Sequence, residues 1–321
     1  DPVTGTWKAT GSMITGRQGA PGTLLANGKV LVAGGYSLAY LSSAELYAPP
    51  TRGWTATRAL HGKRFAQTAA SLPGGQGLVA VGCDSRVALS SAELYAPATR
   101  KWTTTRAMKT ARGAHTATLL SNGQVLVTGG FQGDDRTSLA SAEVYDPATG
   151  TWTATAALNT ARSIHTATLL PDGKVLVAGG DIHEGETPSA ELYDPATRTW
   201  TVTGPLKTAR SFHTATLLPN GQVLVAGGEG HGSDGLSSAE LYDPATGTWT
   251  AAGALNRGRC SHTATLLPDG QVLVTGGWDK RIVLSSMERY DPATGIWTAT
   301  GALKTARGCH TATLLPDGQV L

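Results

Sequence analysis

Seven tryptophans, Trp7, Trp54, Trp102, Trp152, Trp200, Trp249 and Trp297, follow one another at intervals of 47, 48, 50, 48, 49 and 48 residues, and only Trp278 falls out of phase. A period of this length marks one supersecondary unit copied along the chain, and so small a unit cannot bury its apolar faces alone. The copies must therefore stack on one another.

The unit from Trp200 to Trp249 shows the parts. HTATLL (213–218) and QVLVAGG (222–228) are short aliphatic and β-branched runs joined by Pro219, Asn220 and Gly221, a hairpin turn in which Pro presets φ and Gly accepts positive φ. SSAELY (237–242) and the segment around TWTAAG (248–253) are joined by DPATG (243–247), again a turn built on Pro and Gly. No window sustains helical periodicity. The pattern predicts four antiparallel strands per repeat, stacked radially as a β-propeller, because radial closure limits exposed strand edges. Thr and Ala crowd the first strand, where blades would converge; Tyr and Trp recur on the third and fourth, where blades would diverge.

Arg-x-x-His, a strand ending in Gly-Gly (Gly34-Gly35, Gly129-Gly130, Gly179-Gly180, Gly227-Gly228, Gly276-Gly277), then Glu-x-Tyr, Asp-Pro and Trp is an order that resembles the kelch repeat, over essentially the whole chain. One blade departs, with Val81-Gly82-Cys83 in place of Gly-Gly and Gln67 in place of the histidine. Six complete four-stranded blades are expected, over approximately 14–58, 59–106, 107–156, 157–204, 205–253 and 254–301. The resemblance implies that the termini meet in a composite closing blade, 302–321 with 1–13. Up to Trp7 these segments supply 31 residues from 298 onward, against a repeat near 48. The expected fold is thus an all-β, seven-bladed kelch-type β-propeller over 1–321 whose seventh position is thin or exposed, a place where another copy of the chain could associate. The first residue is Asp1 rather than Met, as in a processed or excised piece of a longer precursor.

Composition excludes some partners. Charged residues make up 15% and the formal charge is +3, with no basic run of the kind nucleic acid or an anionic membrane demands. No apolar run approaches membrane-spanning length and no signal-peptide pattern is present. Cys83, Cys260 and Cys309 are neither a disulfide framework nor a C-x-x-C zinc site, so the redox compartment stays open.

In an up-and-down blade the one–two and three–four turns lie on one face; the two–three and four–one connections lie on the other. The first pair are near copies throughout, whereas the two–three connections differ: YSLAY (36–40), DSRVA (84–88), FQGDDRTS (131–138), DIHEGET (181–187), EGHGSDG (229–235) and WDKRIV (278–283). Variable loops on a rigid frame are where a site belongs. Asp134, Asp135, Asp181, His183, Glu184, Glu186, Glu229, His231 and Asp234 make an acidic sector, either a solvated surface or a divalent-cation site, with calcium the candidate ion. Trp278, Lys280, Arg281, Tyr36 and Tyr40 make an aromatic and basic sector suited to ligand contact, unless Trp278 simply covers a neighbouring blade.

Three ladders recur. Arg17, Arg64, Arg112, Arg162, Arg210, Arg259 and Arg307 precede strand one, His115, His165, His213, His262 and His310 begin it, and Glu45, Glu93, Glu143, Glu191, Glu240 and Glu288 lie on strand three. Paired Arg and Glu would be scaffold, since either one buried alone is costly. The alternative is that Arg162 and Arg210 grip acidic side chains of a ligand, as the resemblance to some kelch domains implies. Catalysis needs different groups converging on one point, and identical groups spread over repeats do not supply that.

The resemblance also brings in the galactose-oxidase type of enzyme, which holds copper with tyrosine and histidine. Six tyrosines, Tyr47, Tyr95, Tyr145, Tyr193, Tyr242 and Tyr290, are locked in the repeat, and there is no Tyr-His dipeptide. Nor is there the Glu, Asp and Cys set of iron-dependent specifier proteins, a G-x-S-x-G elbow or an H-E-x-x-H helix. Cys260 and Cys309 stand near His262 and His310, which permits either packing or a thiolate–imidazole site. The reading that results is a non-catalytic recognition module for a protein, peptide or carbohydrate ligand, extracellular or periplasmic because the repeats resemble those of bacterial exported kelch proteins. The alternative is a secreted enzyme or lectin-like module using the same face.

Overall fold

The Val-Leu-Val run of the repeat, Gly-Leu-Val in blade 2, becomes the second strand of a four-stranded antiparallel sheet and is buried on both faces, as a strand without polar alternation must be. In the computed structural model, which describes all residues except Val3, Arg86, Asp134, Gly232 and Ser233, six such sheets form among the described residues, over 22–57, 68–104, 116–155, 166–203, 214–254 and 263–302. Blade 5 is representative: strands Thr214–Leu217, Val223–Ala226, Ser238–Asp243 and Thr248–Ala254 pair in chain order. The chain divides into two compact units, Thr10–Ser163 with blades 1 to 3, and Asp1–Ala9 with Ile164–Leu321, which holds blades 4 to 6.

Period-2 alternation on strand two sets the stacking. Leu224 and Ala226 of blade 5 pack on Val272, Val274, Tyr290 and Trp297 of blade 6, while Val223, Val225, Tyr242 and Trp249 pack on Leu170, Leu176 and Ala178 of blade 4. A leucine from each four–one connection, Leu206 or Leu255, fills the remaining space. The same composition joins blade 1 to 2 and blade 2 to 3, apart from Met108 in the connecting position. Each buried aliphatic side chain contributes about 1.5–3 kcal/mol, so the interfaces dominate stability. Tyr and Trp face each other across strands three and four, with ring centroids 4.9 Å apart in Tyr145–Trp152 and 5.0 Å apart in Tyr242–Trp249.

The expected seventh blade is not formed among the described residues, which build six. Residues 309–321 make one isolated bridge, Leu314 to Val320, with backbone bonds between Thr313 and Leu321. The segment around Trp7 takes no strand. In a complete blade strand four pairs with a Glu-x-Tyr strand, and neither terminal segment carries one. Trp7 instead packs with Leu303, Val320, Leu267 and Leu273 against blade 6, its indole Nε1 donating to Met287 Sδ at 2.6 Å.

The two–three connections, expected as loops, contain short hairpins of their own: Cys83–Asp84 with Val87–Ala88, Phe131–Gln132 with Thr137–Ser138, Asp181–Ile182 with Gly185–Glu186, and Trp278–Asp279 with Ile282–Val283. The Gly-Gly pair turns strand two into them. Gly228 sits at φ +107°, and a Cβ there would lie 2.7 Å from the Ser211 carbonyl oxygen. Blade 2 forces Val81 into the first glycine position at φ +43°, a strained conformation for a β-branched residue.

Candidate functional site

The ladders resolve into a clamp repeated in the blades. Arg210 Nη1 donates to the carbonyls of Gly227 and Ser238, at 2.6 and 3.0 Å. Its Nη2 donates to Ser238 Oγ and Glu240 Oε1, at 2.9 and 2.8 Å, and its Nε donates to the Thr208 carbonyl. All five N–H groups of the guanidinium are engaged. Glu240 also accepts the backbone N–H groups of Lys207 and Thr208, so one carboxylate holds the four–one connection and the arginine together. Arg112 with Glu143 and Arg259 with Glu288 repeat the ion pair, as do Arg17 with Glu45 and Arg64 with Glu93, but in these four the buried Nε has no hydrogen-bond partner. Burial lowers the guanidinium pKa of Arg64, Arg112, Arg210 and Arg259, while hydrogen bonds and charge from the paired glutamates oppose the shift. Arg162 and Glu191 are likewise buried, and Arg162 Nε donates to Thr160. Neither Arg162 nor Arg210 is exposed to a ligand, which corrects the expectation that they grip acidic side chains. Arg307 differs: it is exposed and has no ladder carboxylate among the described residues.

Four histidines bond the preceding blade. Nε2 of His115 meets Thr68 Oγ1 at 2.7 Å, that of His213 meets Thr166 at 2.9 Å, and that of His262 meets Thr214 at 3.0 Å. His310 lies 3.3 Å from Thr263 and 3.2 Å from Thr275. Burial, then the neighbouring ladder arginine, brings the pKa of His115, His213 and His262 down to about 3 and that of His310 to about 4, so all four rings are neutral at pH 7. His165 is buried in the same register. In blade 2, Gln67 takes the slot and donates to the Ala33 carbonyl at 2.7 Å. Burial followed by the charge of Glu229 pushes the Cys260 thiol up to about 11, the opposite of what a thiolate–imidazolium pair with His262 requires.

Two residues after six of the seven ladder arginines the backbone turns left-handed without glycine, at Ala66, Ala114, Ile164, Phe212, Ser261 and Cys309, with φ of 53°, 50°, 54°, 51°, 50° and 51°, while Arg17 is followed by Gly19 at φ 61°. The conformation serves a main-chain relay from blade to blade: Ala114 N–H donates to Ala66, Ser261 to Phe212, and Cys309 to Ser261, at 3.2, 3.0 and 2.9 Å.

In the unit of blades 1 to 3, Tyr36 and Tyr40 face each other across a hairpin, centroids 5.4 Å apart, and both meet the ring of Phe65 edge to face. Leu38, at the tip between them, is 99% exposed. Arg136 lies 5.4 Å over the ring of Phe131. Phe65, Phe131 and Arg136 were not singled out as candidates from the sequence. Phe65 follows a ladder arginine and Phe131 follows a Gly-Gly, so variation at those two copied positions was the available signal.

In the unit of blades 4 to 6 the acidic candidates partly converge. His231 Nδ1 lies 3.7 Å from Glu186, and burial, then the charges of Glu186 and Asp181, raises the pKa of Glu229. Asp234 instead pairs with Lys280 at 3.6 Å, while His183 and Glu184 are exposed at a hairpin tip. Asp135 caps its own loop through Thr137, and Asp134 lies outside the described residues. Among the described residues no three His, Cys, Asp or Glu side chains are arranged to hold a metal ion. Trp278 covers the next four–one connection, its indole lying on Gly308, while Arg281 is exposed. His115, His213 and His262 are buried with Nε2 engaged by threonine, so these residues do not fit a tyrosine–histidine copper centre.

The profile of the KLHDC2/KLHL20/DRC7 Kelch-repeats domain matches residues 68–250 and 114–321. Among solved structures, a novel fungal alcohol oxidase of the AA5 family in complex with copper is similar at a TM-score of 0.81 and 21% identity, covering 99% of this chain and 72% of that one. The structure of YjhT is similar at 0.69 and 17% identity, covering 90% and 98%. A search of curated proteins found no match. At these identities the likenesses establish a shared fold. With the family profile matched over most of its length and its repeats built as kelch blades, the chain belongs to the Kelch-repeat family of β-propellers.

Proposed function

We propose that the protein is a non-catalytic recognition module that engages a protein or peptide ligand through its two–three and four–one connections. The observation that carries this reading is Leu38, a fully exposed leucine on a hairpin braced by the edge-to-face rings of Tyr36, Tyr40 and Phe65. A rigid aromatic base under a solvated apolar tip presents contact area at low entropic cost, which suits a binding hot spot. The ladders are consumed in holding the frame, which leaves the connections as the variable surface. An extracellular or periplasmic location goes with this reading, since the repeats resemble those of bacterial exported kelch proteins.

The test is a peptide and glycan array probed with the wild type and with Leu38→Asp. The variant should lose array ligands by tenfold or more, about 1.4 kcal/mol, at unchanged melting temperature. Equal binding by both proteins would remove this surface from the reading. A second reading, an enzyme on the same face, draws on the raised pKa of Glu229 beside Glu186 and Asp181, a setting in which a carboxyl can act as a general acid. Elemental analysis separates the two: stoichiometric copper or iron in the purified chain would favour the enzyme.

A further inference from the structure

We propose an oxyanion-binding cleft at the seam of blades 1 and 2, lined by none of the residues of the Leu38 hairpin on which the reading above rests. It is lined by Arg58, Ala59, His61, Lys101 and Trp102 and encloses about 420 Å³. Arg58 and His61 lie on the connection leaving blade 1, and Lys101 and Trp102 open the last strand of blade 2. Trp102 is the buried floor, fixed by its Nε1 donating to the Arg58 carbonyl at 2.6 Å.

Charge and fixation make this a site rather than scattered basic residues. His61 is held from behind, with Nδ1 2.7 Å from Glu93 Oε2, while its side chain remains 60% exposed. That arrangement leaves Nε2 as the ring atom open to a ligand. Glu93 does not neutralise the cleft, because its carboxylate also receives the Arg64 guanidinium and the His61 backbone N–H. The exposed positive side chains of Arg58 and Lys101 thus line the same cleft as a fixed imidazole, a donor set that suits the several acceptor oxygens of a tetrahedral oxyanion.

No other seam carries this set. The slots of Arg58, His61 and Lys101 hold Arg106, Lys109 and Thr151 one seam on, then Ala156, Asn159 and Thr199, then Gly204, Lys207 and Thr248, and finally Gly253, Asn256 and Ile296. Drift from a copied frame has gathered three basic groups at one seam only. The ligand class is a phosphate or sulfate group, free or carried as an ester.

The probes are inorganic phosphate and sulfate, titrated at constant ionic strength and followed by isothermal calorimetry and by the amide and indole NMR signals of the folded chain. Saturable binding is expected, with shifts at the Trp102 indole. Arg58→Ala with Lys101→Ala should weaken it at least about tenfold, and Arg106→Ala at the neighbouring seam should leave it unchanged. A phosphorylated and a sulfated peptide form the second arm: tighter binding than the free ion identifies an esterified source, and equal binding a free one. The proposal is overturned by a linear, non-saturating response, by equal loss in Arg106→Ala, or by acetate binding as tightly as phosphate. All three substitutions are at exposed side chains, and melting curves confirm that the variants are folded.

Discussion

Replacing His213 by Gln should make the protein less sensitive to acid. His213 is neutral and buried, its pKa lowered from 6.5 to about 3 by burial and then by Arg210. In the unfolded chain the ring takes up a proton below its ordinary pKa, whereas the folded chain refuses it until pH falls to about 3. The stability tied to the neutral ring is thus complete above pH 6.5 and is lost as pH falls from there through the folded value. At pH 5 the loss is about 2 kcal/mol for this residue, from 1.36 kcal/mol per pH unit over roughly one and a half units. His115 and His262 carry the same shift, so the three together cost about 6 kcal/mol, a large share of the 5–15 kcal/mol typical of a domain. Glutamine is the natural control, because Gln67 already fills this slot in blade 2 and donates to Ala33, whose counterpart in blade 4 is Ala178. Urea unfolding at pH 7 and pH 5 in matched ionic strength measures the difference. The variant should lose about 2 kcal/mol less than the wild type between the two pH values, and triple replacement of His115, His213 and His262 about 6 kcal/mol less. If wild type and single variant lose the same amount, the ladder histidines are not buried neutral bases and the reasoning fails.

Arg210→Ala should lower stability by about 3–5 kcal/mol, because it strands the buried Glu240 carboxylate and two carbonyls. Arg210→Lys should recover only part of this, since an ammonium cannot reproduce the fork; a melting temperature equal to wild type in either variant contradicts the clamp. Gly308→Ala would drive a methyl group into the Trp278 indole. Its expected signature is a red-shifted, more quenchable tryptophan emission from a displaced ring, and an unchanged spectrum would show that the indole does not rest there.

Strand positions were legible because turns and alternation are local: Pro219-Asn220-Gly221 and the run Val223–Ala226 specify a hairpin whatever surrounds them. The clamp was half legible. Recurring Arg and Glu predicted a pair, but the two backbone N–H groups held by Glu240 depend on how the four–one connection folds back, which no residue type announces. The small hairpins beyond Gly-Gly were missed because pairs such as Asp181–Glu186 close by backbone bonds between residues without strand propensity. The acidic sector was read from proximity in sequence, yet Asp234 turned to Lys280 rather than toward Glu186. Blade number failed for another reason: a terminal strand needs a central partner, and the segments around Trp7 and Val320 have none, so hydrophobic capping against Met287 and Leu273 replaced pairing.

The seams between blades share one composition, leucine and alanine from one sheet against valine, tyrosine and tryptophan from the next. Such a seam cannot tell which blade it is joining. A gene that loses or gains one period of about 48 codons by unequal recombination within either unit therefore still encodes matching neighbours at such a seam. The number of blades is then inherited as a length rather than enforced as a fit, and a family built this way can vary its count without redesigning any contact.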